Sequence, residues 1–541
     1  MTGLAEDKQS QSASSAWRLL PSSPDAAPQL GLEPQLDRQP QKPPAQWRKQ
    51  LSQTMKAAVL VVSGVALLSG VATGCAKNAG APGSGAAPGG TTGTPAASTV
   101  KPPGDYVILA WQSIGMKCTS DNDKYFSFHT PGNDLWAQVI KRGDPPVVVT
   151  DGIKLSYEAP ENHNEPSKTI NFWDYAKITL KKDIQPNTGK TGMPADRGEF
   201  TLDKAKKAWT AIGIPVSPYN DDGKVDAYPM FTIRATDAAS GELLAETKMA
   251  APVSGELGCY ICHGGTPNKD GIGLSDATAR DILADHDKNV GTNLLAEAEA
   301  GRPQYCLDCH AANNVGAPGK PDVLSMSAAL HGKHAQYMQN GSIETCGLCH
   351  PSSAKGQVYC QRDVHRGFGM DCMNCHGTLP EHAASVLMKQ KDLPAAQKSL
   401  ERLKPYLPEG FTEAKPRENW INQPDCLSCH TKDHTKASTK SSSYNQWITE
   451  KSHLYRFEKA DKGDMMCAAC HGSPHVVYPA SEALGYSEIN YQPKTYQGFA
   501  GPIGANGNCT VCHLSEPADK HYHHKNQDQP FLPPQFSNDP K

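Results

Sequence analysis

One five-residue pattern, Cys-x-x-Cys-His, occurs seven times between Cys259 and His513, and nothing else in the chain constrains its fold as strongly. The copies, one to seven in chain order, are Cys259-Cys262-His263, Cys306-Cys309-His310, Cys346-Cys349-His350, Cys372-Cys375-His376, Cys426-Cys429-His430, Cys467-Cys470-His471 and Cys509-Cys512-His513. Two thiols one helical turn apart reach the two vinyl groups on one porphyrin edge and form thioethers. The residue after them then brings its imidazole to the iron from one face. Zinc sites also use cysteine pairs, but seven pairs is an odd number, and zinc does not need histidine after every second cysteine. Disulfides suit an exported chain, yet a Cys-x-x-Cys bridge is redox-active more often than structural. The pattern therefore predicts seven haem c groups, with the motif cysteines as thioether anchors and the motif histidines as proximal iron ligands.

The composition fits an interior that side chains do not fill alone. Of 541 residues only 38% are hydrophobic, against 47 Gly and 43 Pro, which suits a loop-rich fold. From residue 258 onward Gly, Pro and His punctuate short helical pieces such as "SMSAALHGKHAQYM" (325–338). One longer stretch, from about His382 to Leu403, has helical periodicity. In these motifs, over about residues 258–513, the chain resembles the multihaem c-type cytochromes. The resemblance implies a loop-rich, mainly α cytochrome domain (253–516) with stacked haems as its core, and electron transfer from haem to haem.

Six-coordinate iron needs a second ligand on its other face. The chain holds 20 histidines, of which 13 lie outside the motifs. His129 and His163 fall in the β-rich part and read as ordinary polar residues. The candidate distal ligands are His286, His331, His334, His365, His382, His453 and His475, with His434 and the tail histidines His521, His523 and His524 in reserve. That supply predicts bis-histidine ligation and leaves Met370, Met465 and Met466 to pack against porphyrin faces. The stretch "CAACHGSPH" (467–475) shows the consequence. His475 lies one turn beyond His471 on the same side, so it cannot reach the opposite face of that haem. As a ligand it serves a different haem and ties the two together.

Residues 1–54 are polar and rich in Gln, Ser and Pro, a disordered composition, and read as an upstream extension. "MKAAVLVVSGVALLSGVATGC" (55–75) has the start Met, Lys, apolar run and small residues of a secretory signal (55–74). The alternative is an uncleaved anchor, since about 18 apolar residues is near the lower limit for a span. The closing "ATGC" resembles the lipobox of bacterial lipoproteins, with Ala72 where Leu is usual. This implies cleavage before Cys75, a lipid on its sulfur and, with Ala76 following, an outer-membrane or cell-surface location, the periplasmic face included. Residues 75–104 form a flexible Gly/Ala/Pro/Ser/Thr linker, and 517–541 a C-terminal tail. A net charge of -3 without a basic patch argues against nucleic acid.

Residues 105–252 lack the motif. "DYVILAW" (105–111), "WAQVI" (136–140) and "VVVTDGIKLSYEA" (147–159) are β-branched and aromatic. "FTIRATDAASGELLAETKM" (231–249) reads as a hairpin around Ala238-Ala239-Ser240-Gly241. An antiparallel sandwich is expected, which makes the chain α+β. "AWQSIGMKC" (110–118), "TINFWDY" (169–175) and "GIPVSPYNDDG" (213–223) resemble the N-terminal domain of exported multihaem lipoproteins. There "GMHC" is common; Lys117 replaces its histidine, which speaks against a metal site at Cys118. Cys118 and Cys360 either form a disulfide between the two regions or stay free thiols. The function expected is electron transfer to other cytochromes and an extracellular acceptor, from a lipid-anchored site. Two other classes stay open. One is a reductase of nitrite, hydroxylamine or a sulfur oxyanion with one open haem; the other is a subunit of an extracellular cytochrome filament or other oligomer.

Overall fold

Along one strand Val107, Leu109 and Trp111 alternate with Ile108 and Ala110, and all five are buried. Side chains of a strand alternate between faces, so this strand needs a core on each side. The computed structural model, which describes residues 104–338, 343–352, 356–407, 415–422, 424, 464–480 and 487–517, supplies both.

In chain order the strands are β1 (Tyr106–Gln112), β2 (Lys117–Cys118), β3 (Phe126–Ser127), β4 (Asn133–Lys141), β5 (Val147–Val149), β6 (Ile153–Glu158), β7 (Arg197–Glu199), β8 (Thr201–Asp203), β9 (Ala208–Ile214), β10 (Met230–Asp237), β11 (Leu243–Ala250), β12 (Val253–Ser254) and β13 (Gln304–Tyr305). One antiparallel sheet runs β1-β4-β9-β8 with β5 also on β4; a second runs β11-β10-β6-β7. Ile108 and Ala110 join Val139, Leu155, Tyr157, Phe231 and Ile233 in a core drawn from both sheets. With helices elsewhere in the chain, the fold is mixed α+β.

The expected hairpin is present as β10–β11, with Phe231 opposite Met249 and Ile233 opposite Thr247. The Asp237 carboxylate accepts the backbone N–H groups of Ala239 and Ser240 in its turn. The run 147–159 is not one strand. Gly152, at φ 74°, turns the chain between β5 of the first sheet and β6 of the second, a conformation glycine adopts at little cost.

The other face of β1 packs against the motif-bearing region. Val107, Leu109 and Trp111 meet Met466, Ala468, Val476, Tyr478, Ile503 and Val511. Burying each large apolar side chain stabilises by about 1.5–3 kcal/mol, so this seam is a substantial contact. β1 ends its sheet, and its free edge is covered. Ala110 N–H donates to Gln492 Oε1 at 2.9 Å, and Gln492 Nε2 returns a bond to the Ala110 carbonyl at 2.6 Å. The side-chain amide takes the place of a neighbouring strand. Parallel pairs β2–β12 and β3–β13 add two more ties, the second ending one residue before Cys306.

The helical stretch expected from His382 to Leu403 is two helices, Leu379–Lys389 and Pro394–Leu403. Proline lacks the amide hydrogen a continuing helix needs, and it is well suited to a first turn. A Thr378/Glu381 capping box starts the first of them. Both pack with the helix Met326–His334 around Ala328, Ala383, Leu387 and Leu403. Among the described residues no helix is long and apolar enough to cross a membrane. The run 55–75 and residues 518–541 lie outside them.

Candidate functional site

Each described motif is a single tight turn. In motifs one, two, three and seven the histidine N–H bonds to the first cysteine's carbonyl at 2.9 Å. Motifs four and six form the short helices Cys372–His376 and Cys467–His471. Residues three and four apart share a helix face, so both thiols and the imidazole of each motif turn the same way. Motif five (Cys426, Cys429, His430), the candidate His453 and Cys75 lie outside the described residues.

All the cysteines and histidines of the six described motifs line one continuous cavity of about 2880 Å³. A single small-molecule site occupies about 300–1,000 Å³, so this volume suits several large planar groups. His286, His331, His334, His365, His382 and His475 line it too, with Met370, Met465 and Met466. Sequence reasoning missed His129, which also faces the cavity; no motif or spacing marks it. His163 packs elsewhere, with Nε2 3.0 Å from Asp226 Oδ2.

The rings are paired. Ring centres are 6.3 Å apart for His263–His334, His286–His310 and His331–His350, and 6.2 Å apart for His376–His475. Two imidazoles that bind one metal from opposite sides, each nitrogen about 2.0 Å away, have centres about 6 Å apart. Each of these pairs joins a motif histidine to one outside the motifs. His475 therefore sits by motif four, although only Gly472, Ser473 and Pro474 separate it from His471 of motif six. It adopts a left-handed φ of 67°, and Gly115 makes room for it. A Cβ on Gly115 would lie 2.9 Å from the Pro474 carbonyl oxygen. Ser473 Oγ pins the turn to the end of β1 by donating to the Gln112 carbonyl at 2.6 Å.

His382 is placed differently. Its ring is 4.4 Å from His331 and 5.9 Å from His376, and Arg417 Nη2 approaches its Nε2 at 2.9 Å and its Nδ1 at 3.1 Å. A guanidinium only donates, so it competes with any metal for that lone pair.

Seven of the other rings have a polar partner at Nδ1. Nδ1 of His310, His331 and His334 lies 2.7, 2.8 and 2.7 Å from the carbonyls of Leu324, Ser327 and Leu330. His286 Nδ1 meets Thr292 Oγ1 at 2.9 Å. Nδ1 of His263, His365 and His513 meets carboxylates of Asp281, Asp363 and Asp144 at 3.3, 3.1 and 3.2 Å. Metal-binding histidines are characteristically held in this way. Burial keeps many of these rings neutral, as ligation requires. It is the largest cause pushing His331 and His376 down to about 3 and His129 to about 4, and it moves His286, His334 and His350 the same way. His376 Nδ1 is buried without a hydrogen-bond partner among the described residues.

Comparison with known proteins finds no match: no family model, no curated protein and no solved structure. The donor set and the cavity volume, taken by themselves, fit covalently anchored haem.

Neighbouring sites share elements. The helix Asp276–Val290 carries Asp281 against motif one and His286 against motif two. His331 and His334, on one helix, face motifs three and one. A Cβ on Gly258, just before Cys259, would collide with the Leu348 carbonyl oxygen inside motif three. Cys346 of motif three lies beside Cys372 of motif four, and Ile503 N–H, before motif seven, bonds the Cys470 carbonyl of motif six at 3.0 Å. Cys118 and Cys360 are free thiols that line the same cavity, and Cys360 Sγ lies 3.8 Å from His475 Nδ1.

Proposed function

We propose that this chain is a seven-haem c-type cytochrome that transfers electrons through closely spaced, mostly bis-histidine haems. The observation that carries the reading is the set of four imidazole pairs, 6.2–6.3 Å between centres, around one cavity. Haem iron supplies one-electron exchange. The chain's own residues do the rest: cysteines anchor, motif and non-motif histidines hold the metal from two sides, and Nδ1 partners fix each ring. An imidazole on both sides suits outer-sphere exchange rather than substrate binding. In this reading the two sheets form a β-sandwich that braces a core made largely of haem. A lipid on Cys75 tethers the exported protein to the outer membrane or cell surface, where other cytochromes and an extracellular acceptor are its partners.

The test is haem stoichiometry in protein made by a host that attaches haem c. Pyridine haemochrome spectra and intact mass are expected to give seven haems per chain, fully reducible by a low-potential donor and reoxidised by an added one-electron acceptor. A chain with no covalent haem would overturn the reading.

A further inference from the structure

The Nδ1 partners divide into two chemical kinds. Three imidazoles face carboxylates. Asp281 and Asp285, one turn apart on the helix Asp276–Val290, lie 3.3 and 3.8 Å from His263 Nδ1. Asp144 lies 3.2 Å from His513 Nδ1, and its other oxygen accepts from Ser515. Asp363 lies 3.1 Å from His365 Nδ1 and is itself held by Arg366 N–H. His310, His331 and His334 face neutral carbonyls and His286 a hydroxyl, while His376 Nδ1 has no partner among the described residues. Burial grades the carboxylates as well: side-chain exposure is 5% for Asp363, 39% for Asp144, and 54% and 55% for Asp281 and Asp285.

We propose that Asp363, Asp144 and the Asp281/Asp285 pair are positioning residues that lower the reduction potential of the haems held by His365, His513 and His263, with Asp363 acting most strongly. This rests on the electron-transfer reading. The physical cause is twofold. A carboxylate that accepts the Nδ1 proton makes the imidazole a stronger donor to the metal, and its negative charge favours the oxidised, more positive centre. Charge acts further where water does not screen it, which puts buried Asp363 ahead of exposed Asp281 and Asp285. The His376 site then differs from these three. Around His376 no carboxylate accepts the ring proton, and Arg417 adds positive charge nearby. The haem held by His376 is then easier to reduce than those whose ligands face carboxylates.

The experiment is a potentiometric titration of the full haem-loaded chain, comparing the native protein with D363N, D144N and D281N/D285N. Asn keeps the shape of each residue and, at 363, retains the cap on Arg366. D363N is expected to raise one of the resolved potentials by about tenfold in that haem's reduction equilibrium, which is 59 mV for one electron. D144N is expected to raise a different one by less. D281N/D285N is expected to raise a third, and that shift should shrink between about 0.01 M and 1 M salt as the Debye length falls from about 30 to 3 Å. D144E, which keeps the charge, should leave its haem near the native value. Should D363N fail to fold, D144N, at a more exposed site, carries the test alone. Unchanged potentials in variants that retain seven low-spin haems would overturn the inference and leave the electron-transfer reading standing. A chain without low-spin haem overturns both.

Discussion

In the β-rich region Leu155, Phe231 and Ile233 are almost wholly buried within a core of other apolar side chains. In the motif-bearing region His331 and His376 are only partly buried and His350 is exposed, and all three face a cavity of about 2880 Å³. One region closes its interior with alternating strand residues; the other lines a space that its described side chains do not fill. Protein interiors are normally close-packed, so the contrast separates a self-sufficient core from one that, in the proposed reading, haem completes. β1 joins the two, giving Ile108 to one core and Leu109 to the other.

The largest expected effect comes straight from this contrast. Made where covalent haem attachment does not operate, the chain should lose protease protection over residues 253–516 while the two sheets persist; limited proteolysis with mass mapping reads this out. Equal protection of both regions would break the contrast. Next, Trp111→Ala at the seam should cost about 3–5 kcal/mol. Denaturant unfolding should show circular dichroism and haem absorbance shifting together, whereas separate transitions would mean that the regions fold independently.

Asp123 is fully buried just before β3, and burial pushes its carboxyl up to about 7 despite the Ser127 hydroxyl. The folded state therefore keeps a proton that the unfolded chain releases near its ordinary value. Stability falls as pH rises from about 4 to about 7 and stays low above that. Asp123→Asn should then gain up to about 4 kcal/mol at pH 8 and little at pH 4, measured by urea unfolding at the two pH values. An equal effect at both would show that the carboxyl is not protonated in the fold. The smallest expected effect is Gly258→Ala. Its Cβ meets the Leu348 carbonyl oxygen, and the overpacking should cost about 1–3 kcal/mol, seen as a lower melting temperature.

Local chemistry made part of this legible in the sequence. The hairpin β10–β11 follows from two β-rich runs with Asp237-Ala238-Ala239-Ser240-Gly241 between them. The motif turns follow from their spacing, and the surplus of histidine pointed at His286, His331, His334, His365 and His475, all of which line the cavity. The division of 147–159 between two sheets was less legible, because an Asp-Gly turn marks a bend without saying which sheet each side joins. The helix break before Pro394 was masked by apolar periodicity on both sides. Nothing local could reveal His129, or the plugging of the β1 edge by Gln492. The Asp144–His513 contact spans 369 positions of sequence. Pairings between rings are likewise long-range, and only the fold places His475 beside His376 instead of His471.

The most direct measurement of the central claim is the spin state of every haem in the oxidised, fully loaded protein. Electron paramagnetic resonance quantified per chain, with carbon monoxide added to the reduced form, is expected to show low-spin haem throughout and no carbon monoxide adduct. A high-spin signal, or a carbon monoxide complex at one haem per chain, would contradict bis-histidine closure and mark an open site.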